Sequence, residues 1–439
     1  MEALVRRAHD AATRAGRVST RPAAWAALLS AVLLVPTLSG CSRTPSATEA
    51  ATVPVPEGHH VGAPSIALDP ASGDVLLMWM GGDGDEVRLW FARSRDEGAS
   101  WSHPVAVTPP GEPLRIHAEA SPRMVVDPGK GIGVAYATSV PVEGRRFPAS
   151  DLRFARSLDG GATWQTPVTV NDDTASGPGS HSFHNIVLWE RGTLFASWLD
   201  SRPGREGIPS DSTEGNDASI HLSRSDDFGV TWNPNEGQWD HVCPCCKSDI
   251  GVDPFGHVYV SFRRHYPGQI RDAVIARPDG PPVRMYPDEW RIEGCPHSGP
   301  SLELPLDGTI RMVWFTGAPG RAGVWFRSTM PETMDSTSVP VAVMRGTSLP
   351  TVHVSLATAG VRGSLIAMDS DSSGARRLTL ARVESSGRRL AENFTVPGSD
   401  GAQYPHLAAS PNRTTAYAVW TRTEGDRGRL HLTRWRLGR

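Results

Sequence analysis

Short, mainly apolar runs recur over most of the chain, each bounded by glycine-rich or polar turns. Seven of them directly follow a turn, at residues 75–80, 132–139, 193–199, 257–262, 309–315, 364–369 and 415–421. A shorter run precedes each one, at residues 64–66, 122–124, 184–186, 248–250, 300–302, 352–354 and 405–407. Runs of this length between turns predict β-strands. We therefore expect seven antiparallel units, each with an innermost strand at the shorter run.

The last predicted unit stops at Arg439 and lacks an outer strand. Residues 51–56, which precede the first unit, could supply that strand. Pairing of the two ends of the chain would then close the units into a ring.

Three copies of the pattern Ser-x-Asp-x-Gly-x-x-Trp lie about 65 residues apart, a spacing that suits one four-stranded propeller blade. The Asp carboxylate can accept backbone N–H groups across a tight turn, and the glycine can adopt positive φ. Each copy follows a strand-like run, so we expect a hairpin element without chemistry of its own. The defining residues are Ser94, Asp96, Gly98 and Trp101, then Ser157, Asp159, Gly161 and Trp164, and finally Ser225, Asp227, Gly229 and Trp232.

These octets resemble the Asp-boxes, or BNR repeats, of the sialidase superfamily. The resemblance covers most of the chain from about residue 55 and implies an all-β fold, a β-propeller of four-stranded blades. The strand pattern favours seven blades. Six, the usual number in the family, stays open if one unit is an insertion. The predicted propeller domain spans residues 58–439.

Composition agrees with this fold class. The chain has 439 residues, of which 44 are Gly and 37 are Pro, as expected for an all-β protein with many turns. The formal charge of −3 gives no global basic field, so nucleic acid as a partner has no support from the composition.

The first 41 residues have the composition of an export signal, with arginines before an apolar run at residues 23–35. The run is shorter than the ~20 residues that a bilayer span needs. Its end, Leu38-Ser39-Gly40-Cys41, resembles a bacterial lipobox, in which the cysteine becomes the lipidated first residue. An ordinary signal peptide is the alternative.

Residues 42–57, rich in Ser, Thr, Ala and Pro, are expected to form a flexible tether. With residues 1–41 as a lipoprotein signal peptide, the sequence predicts an exported protein. A lipid on Cys41, such as palmitate, would anchor it in the membrane, facing the periplasm or the cell exterior.

Four further cysteines lie just before two innermost strands, where the loops of a propeller converge on one mouth of the channel. They are Cys243, Cys245, Cys246 and Cys295. An even number in an exported protein favours disulfides, although a bond between the adjacent Cys245 and Cys246 would be strained.

Histidines crowd the same positions. Nine of the 15 lie at or just before innermost strands, namely His59, His60, His117, His181, His184, His241, His297, His353 and His406. Imidazoles such as His117 and His297 beside thiolates could bind copper or zinc. No cofactor is certain, because a disulfide clamp with solvated histidines explains the same residues.

The middle position of each short innermost run is polar, which predicts a ring inside the channel. Its members are Ser65, Arg123, Asn185, Asp249, Ser301, His353 and His406. Arg123 and Asp249 could form an ion pair, or separate to bind an anionic or hydroxyl-rich ligand. With His184 and Tyr404 nearby, the candidate ligand-binding residues are Arg123, His184, Asp249, His353, Tyr404 and His406. A structural polar layer with trapped water is the alternative.

The resemblance also implies a catalytic set of three arginines, a Tyr–Glu pair and an acidic Asp. The segment that should read Arg-Ile-Pro is Gly-Ala-Pro at residues 62–64. Trp-Phe occupies residues 314–315, where another arginine is expected, and Arg311 is offset. Tyr404 has no convincing Glu partner. These departures disfavour cleavage of sialic acid.

The preferred hypothesis is therefore an envelope lipoprotein whose propeller binds a glycan, a partner protein or a metal at its His/Cys-rich mouth. The alternative is a divergent, exo-sialidase-like glycoside hydrolase acting on extracellular glycans. Its candidate catalytic residues are Glu119, Asp249, Glu293 and Tyr404.

Overall fold

Antiparallel strands make up nearly all the regular structure in a computed structural model of the chain. The structure describes residues 46–47, 51–53, 55–56, 59–83, 86–143, 148–173, 179–202, 218–334, 338–370, 375–410, 414–425 and 427–437. They belong to a unit spanning residues 43–439. The predicted signal peptide and Cys41 lie outside the described residues. Within the described ranges, no helix is long and apolar enough to cross a membrane.

The described residues contain four short 3-10 helices, at Ala118–Ala120, Glu190–Gly192, Pro331–Thr333 and Gly360–Arg362. The strands are β1 Ser46–Ala47, β2 Ala51–Thr52, β3 His60–Leu68, β4 Val75–Asp83, β5 Glu86–Ser94, β6 Val105–Ala106, β7 Arg123–Asp127, β8 Gly131–Ala137, β9 Leu152–Ser157, β10 Val168–Thr169, β11 His181–Leu188, β12 Leu194–Asp200, β13 Ala218–Ser225, β14 Glu236–Val242, β15 Asp249–Val252, β16 Val258–Tyr266, β17 Ile270–Ala276, β18 Val283–Arg284, β19 Ser301–Glu303, β20 Ile310–Thr316, β21 Gly323–Thr329, β22 Val341–Arg345, β23 Val354–Thr358, β24 Ser364–Ser370, β25 Arg377–Val383, β26 Leu390–Thr395, β27 Gln403–Ala409, β28 Thr415–Glu424 and β29 Arg427–Arg436.

Consecutive strands pair to form seven antiparallel units. The first six contain four strands each, from β3–β6 to β23–β26. A single residue pair, Val242 with Arg264, joins the third and fourth units into one larger sheet. The innermost strands are β3, β7, β11, β15, β19, β23 and β27. Each lies beside the next, and β27 lies beside β3.

The seventh unit is completed by the beginning of the chain. Both β1 and β2 pair with β29, and Val53 N–H donates to the carbonyl of Leu430. The expected outer strand from residues 51–56 is therefore present. Part of the segment predicted to be a flexible tether is thus paired β-structure, a correction to that prediction. The pairing satisfies backbone groups that β29 would otherwise leave open at a sheet edge.

Each Asp-box forms the same hydrogen-bonded turn. In the first copy, Ser94 Oγ donates to Asp96 Oδ1 over 2.8 Å and accepts the Gly98 N–H. Ser100 donates to the same carboxylate through its N–H and its hydroxyl, and these bonds lower the pKa of Asp96 to about 2. The second and third copies repeat these contacts. The octets are folding elements, as expected.

The box glycine of one unit packs against the preceding unit. A Cβ on Gly98 would overlap Leu432 of the seventh unit, and one on Gly161 would overlap the ring of Phe91 in the first. A Cβ on Gly229 in the third unit would likewise overlap the ring of Phe154 in the second. Hydrophobic clusters lie between successive units in the same way. The cores therefore join neighbouring sheets.

Replacing Gly161 with Ala tests this packing. Gly161 has a φ of 96°, so alanine adds backbone strain and a clash with Phe91. The free energy of unfolding, measured by urea denaturation, should fall by about 3 kcal/mol. Gly111→Ala is the matched control, because Gly111 also has positive φ, 78°, but open space around it. That control should lose only about 1 kcal/mol. Equal losses in the two variants would contradict the packing role.

Candidate functional site

Three innermost strands begin with a β-bulge that contains a residue of positive φ. The bulges interrupt the register of β3, β11 and β27. The residues are Ala63, Phe183 and Tyr404, with φ of 49°, 54° and 52°. Such backbone is costly for a residue with a side chain, and bulges of this kind redirect side chains near functional sites. Equivalent positions in the third and seventh units therefore present aromatic rings where the innermost strands begin. We call this end of the units the mouth.

A short loop from the second unit reaches across the mouth. Glu119, in the 3-10 helix Ala118–Ala120, is only 4% exposed. Its Oε2 accepts the Lys247 N–H at 3.3 Å and the Gly299 N–H at 3.4 Å. Its Oε1 lies 4.0 Å from Nε2 of His353. One carboxylate thus contacts the fourth, fifth and sixth units.

Asp249 links innermost strands of neighbouring units. Its carboxylate accepts hydrogen bonds from Asn185 Nδ2 at 2.5 Å and Ser301 Oγ at 3.0 Å. It also accepts the Leu302 N–H at 2.8 Å. Three predicted members of the polar ring are therefore joined by direct contacts.

Arg123 points to the other side of the ring and does not pair with Asp249. Its Nη1 contacts Nε2 of His406 over 2.7 Å. Among the described residues, no ion pair within 4.0 Å joins Arg123 and Asp249, so of the two arrangements expected from the sequence the structure has the separated one.

Two buried cations lie in this layer. Arg123 and Lys247 are 7% and 8% exposed, and Lys247 Nζ donates to the Val354 carbonyl over 3.0 Å. Burial is the main cause that lowers the pKa of both groups, and the carboxylates of Glu119 and Asp249 oppose that shift. The carboxylates compensate the cations, which would otherwise be costly to bury.

Burial and the nearby cations favour the neutral form of the two histidines in this layer. The pKa of His184 is lowered to about 3, first by burial and then by the charge of Arg123. The same causes hold the pKa of His406 well below its usual range. His184 is fully buried and its Nε2 contacts the Ala135 carbonyl over 3.0 Å. It is therefore placed in the core and not at the surface of the mouth.

The predicted ligand residues His353 and Tyr404 come together around a carboxylate that the sequence analysis did not select. Asp369 Oδ2 lies 2.5 Å from His353 Nδ1 and accepts the Tyr404 N–H at 3.2 Å. Arg376 Nη1 lies 3.2 Å from the same oxygen. The rings of His353 and Tyr404 are 4.0 Å apart, and burial raises the pKa of the Tyr404 phenol. The sequence signal for Asp369 is weak, because an oxygen-rich segment that begins at the end of an apolar strand is more typical of an exposed turn, whereas Asp369 is fully buried.

A second aromatic pair lies at the same end of the units. His117 contacts Phe183 edge to face, with ring centroids 5.2 Å apart. Burial lowers the pKa of His117. Phe183 and Tyr404 are each partly exposed. The mouth therefore combines two accessible aromatic rings with a buried, charge-compensated polar layer.

The cysteines form a sulfur cluster, which we define as Cys243, Cys245, Cys246, Cys295 and the imidazole of His297. The first three thiols are buried, and Cys243 Sγ lies 3.6 Å from both Cys245 Sγ and Cys246 Sγ. Ligand atoms of Cys245, Cys295 and His297 also lie within 4.8 Å of one another. At 3.6 Å the buried sulfurs are not bonded to each other.

The pKa of the Cys243 thiol is lowered well below its usual range by hydrogen bonds from the two other buried thiols and by the charge of Arg271. The Glu119 carboxylate ties the cluster to the mouth, because Lys247 follows one cysteine segment and Gly299 follows the other. A Cβ on Gly299 would overlap the Lys247 carbonyl, so the two segments touch directly.

The sulfur cluster therefore brings together Cys243, Cys245, Cys246, Cys295 and His297, as the sequence suggested. The exposed Glu293 lies outside these contacts, whereas His117 packs against Phe183 and also interacts with the charges of Glu119 and His297.

Comparisons with known proteins agree with the fold. The family model of the BNR repeat-like domain matches residues 73–276. A protein of unknown function from Dyadobacter fermentans DSM 18053 is similar in structure, with a TM-score of 0.51, 13% identity, and coverage of 90% of this chain and 99% of that chain. An ulvan lyase of polysaccharide lyase family PL25, bound to -[GlcA(1-4)Rha3S]-, has a TM-score of 0.55, 11% identity, and coverage of 87% and 94%.

A Trypanosoma rangeli sialidase matches with a TM-score of 0.48 and 12% identity, covering 89% of this chain and 60% of that longer chain. No curated protein matches the sequence. At these identities the solved structures establish likeness of fold alone.

Burial of neutral His184 predicts acid sensitivity. Its ordinary pKa is 6.5 and its folded pKa is about 3, so below pH 6.5 the unfolded chain binds a proton that the folded chain does not. The stability that this residue contributes is complete above pH 6.5 and is lost as the pH falls towards 3. When the pH is lowered from 7 to 4.5, the free energy of unfolding of the unmodified chain should fall by about 2 kcal/mol more than that of His184→Gln. Urea denaturation at the two pH values measures this difference.

His103→Gln removes an exposed imidazole and serves as the control, which should follow the unmodified chain. An unchanged pH dependence in His184→Gln would show that His184 is not buried in its neutral form.

Proposed function

Because the chain belongs to the sialidase-like BNR-repeat superfamily, we propose that its seven units are the blades of a closed β-propeller that binds a glycan at the mouth. The cyclic order of the seven innermost strands and the pairing of β1 and β2 with β29 support seven blades over six.

The observation that carries the proposal is the pair of bulged aromatic residues, Phe183 and Tyr404. Aromatic rings offer flat apolar surface to the C–H faces of sugars, while convergent polar groups select hydroxyls or charged substituents. Beside Tyr404, Arg376 and His353 supply such groups. The bulges hold the rings in a costly backbone conformation, which favours a role at a binding site over one in packing alone.

The ulvan lyase of similar fold supports a glycan as the ligand, since it was solved with a bound saccharide. A partner protein is a weaker candidate, because the aromatic rings at the mouth, Phe183 and Tyr404, are only partly exposed.

Cleavage of the glycan is a second candidate function, favoured by the close pair of His353 and Tyr404. Asp369 orients the imidazole, and His353 Nε2 makes no hydrogen bond among the described residues. Such a pair could transfer protons. The glycoside hydrolase alternative needs available carboxylates, however, and Glu119 and Asp249 are occupied by backbone and side-chain donors. Binding without hydrolysis is therefore the preferred function.

We propose further that a lipid on Cys41 holds the propeller at the cell envelope, facing the periplasm or the cell exterior. The lipobox-like Leu38-Ser39-Gly40-Cys41 and the basic, apolar segment before it support this placement.

Tyr404→Ala and Phe183→Ala should each weaken glycan binding at least tenfold, because each removes a stacking surface. Binding is measured by calorimetry with neutral, uronate-bearing and sulfated oligosaccharides, using the full chain in detergent. Phe255→Ala is the matched control, since Phe255 is 79% exposed away from the mouth.

The same oligosaccharides are then incubated with the protein and examined for new reducing ends. Cleavage that is lost in Tyr404→Phe would establish the second function. If the protein neither binds nor cleaves any oligosaccharide of the panel, both proposed functions are excluded.

Cys41→Ala should move the protein from the membrane fraction to the soluble fraction of its host cell. Ser42→Ala is the control and should stay with the membrane. Metabolic labelling with a palmitate analogue should mark the unmodified chain and not Cys41→Ala. Membrane retention without label in the variant would contradict lipid anchoring.

A further inference from the structure

We propose that the sulfur cluster binds a thiophilic d10 metal ion, Cu(I) or Zn(II), through Cys243, Cys245 and Cys246, with Cys295 and His297 at the entrance. This inference does not depend on glycan binding. It rests on the separations of the sulfurs, on the charges around them and on the way in which two loops are held together.

The sulfur separations suit a shared ion. A disulfide requires about 2.05 Å between sulfurs. Thiolates bound tetrahedrally to zinc at about 2.3 Å are about 3.8 Å apart. The 3.6 Å separations from Cys243 to Cys245 and Cys246 are close to the second value. Although Cys245 and Cys246 are adjacent in sequence, the sulfurs of both lie in the same cluster.

The positive charges around the cluster favour the thiolate form of its cysteines. Arg263 and Arg271 are 1% and 6% exposed, and among the described residues neither guanidinium forms an ion pair with a carboxylate. Arg263 donates instead to backbone carbonyls, which are uncharged. Arg271 Nη1 lies 3.3 Å from Cys243 Sγ. Buried cations without a carboxylate need another anion nearby.

Cu(I) with the three buried thiolates carries a net charge of −2, which would balance the two guanidinium groups of Arg263 and Arg271. Zn(II) with the same three thiolates carries −1 and would leave a fourth coordination position open. Thiolates are also the ligands that Cu(I) and Zn(II) select over harder oxygen donors.

The two ligand loops are held in place before any ion arrives. Cys243 N–H donates to the Arg263 carbonyl, and the guanidinium of Arg263 donates to the Ser298 carbonyl beside His297. Glu119 joins the same two loops through Lys247 and Gly299. Such supporting contacts fix the positions of ligands and favour binding over reorganisation.

Access to the buried thiols passes through the exposed residues. Cys295 and His297 are exposed, and both lie within 4.8 Å of the buried Cys245 sulfur. Cys245 thus belongs to both groups and would receive an ion from the surface pair. His297 has a φ of 46°, a backbone conformation rarely adopted by a residue with a side chain. This backbone places the imidazole beside the sulfurs of Cys245 and Cys295.

The test uses the full chain in detergent, reduced and kept anaerobic. Cu(I) is offered as its bicinchoninate complex, and Zn(II) is offered in competition with a chromogenic chelator. We expect one equivalent of one of these ions to be withdrawn from its probe. X-ray absorption of that complex should show sulfur neighbours at about 2.3 Å.

Cys246→Ser should weaken binding at least a hundredfold. Cys295→Ser and His297→Ala, which change exposed residues and leave the core intact, should slow uptake and weaken binding about tenfold. His257→Ala is the matched control, because this half-exposed imidazole pairs with Asp253 away from the cluster. Near-UV circular dichroism checks that each variant is folded.

Failure of the reduced protein to withdraw either ion would overturn the inference. So would equal binding by the unmodified chain, Cys295→Ser and His297→Ala. Disulfide formation removes two hydrogens per bond and so lowers the intact mass. If the isolated protein shows that lower mass for one or two disulfides and retains no metal, the cysteines form a disulfide clamp.

Discussion

The apolar face of each antiparallel unit is buried only against the next unit, and this constraint organises the whole structure. A unit at either end of an open row would expose one hydrophobic face to water. The first and last units avoid this because Val61 and Trp79 share a core with Val419 and Leu432. The chain ends then pair through β1, β2 and β29. Asp-box glycines contribute by letting one unit approach the side chains of the preceding one.

The seven innermost strands lie side by side, and their polar side chains have to satisfy each other. Asp249 bonds to residues of the neighbouring units, Arg123 contacts His406, and Lys247 donates to a carbonyl. The loop that carries Glu119 supplies an anion for two buried cations. Because this carboxylate also joins both cysteine segments, the polar layer and the sulfur cluster form one connected structure.

Much of the architecture was predictable. Alternation and turns indicated seven units with correctly placed innermost strands, and the octets indicated the hairpins that carry them. The same strand pattern predicted that the cysteine loops converge at one end of the units. Single-residue roles were harder to predict. His184 lies in the core, and Glu119, considered as a catalytic acid, is occupied by the Lys247 and Gly299 amides. Asp369 was not selected, although it orients both His353 and Tyr404.

The sequence by itself determined the class of fold, the repeat and the end of the molecule at which the chemistry lies, because strand alternation and turn residues act locally. Only the tertiary structure decided which groups meet. Glu119 and Lys247 are 128 residues apart in the chain, and Arg123 and His406 are 283 apart. Such contacts form only when distant units come together. The positive φ values at the bulges of Phe183 and Tyr404 were likewise not predicted. No local pattern encodes those values, since neither residue is a glycine.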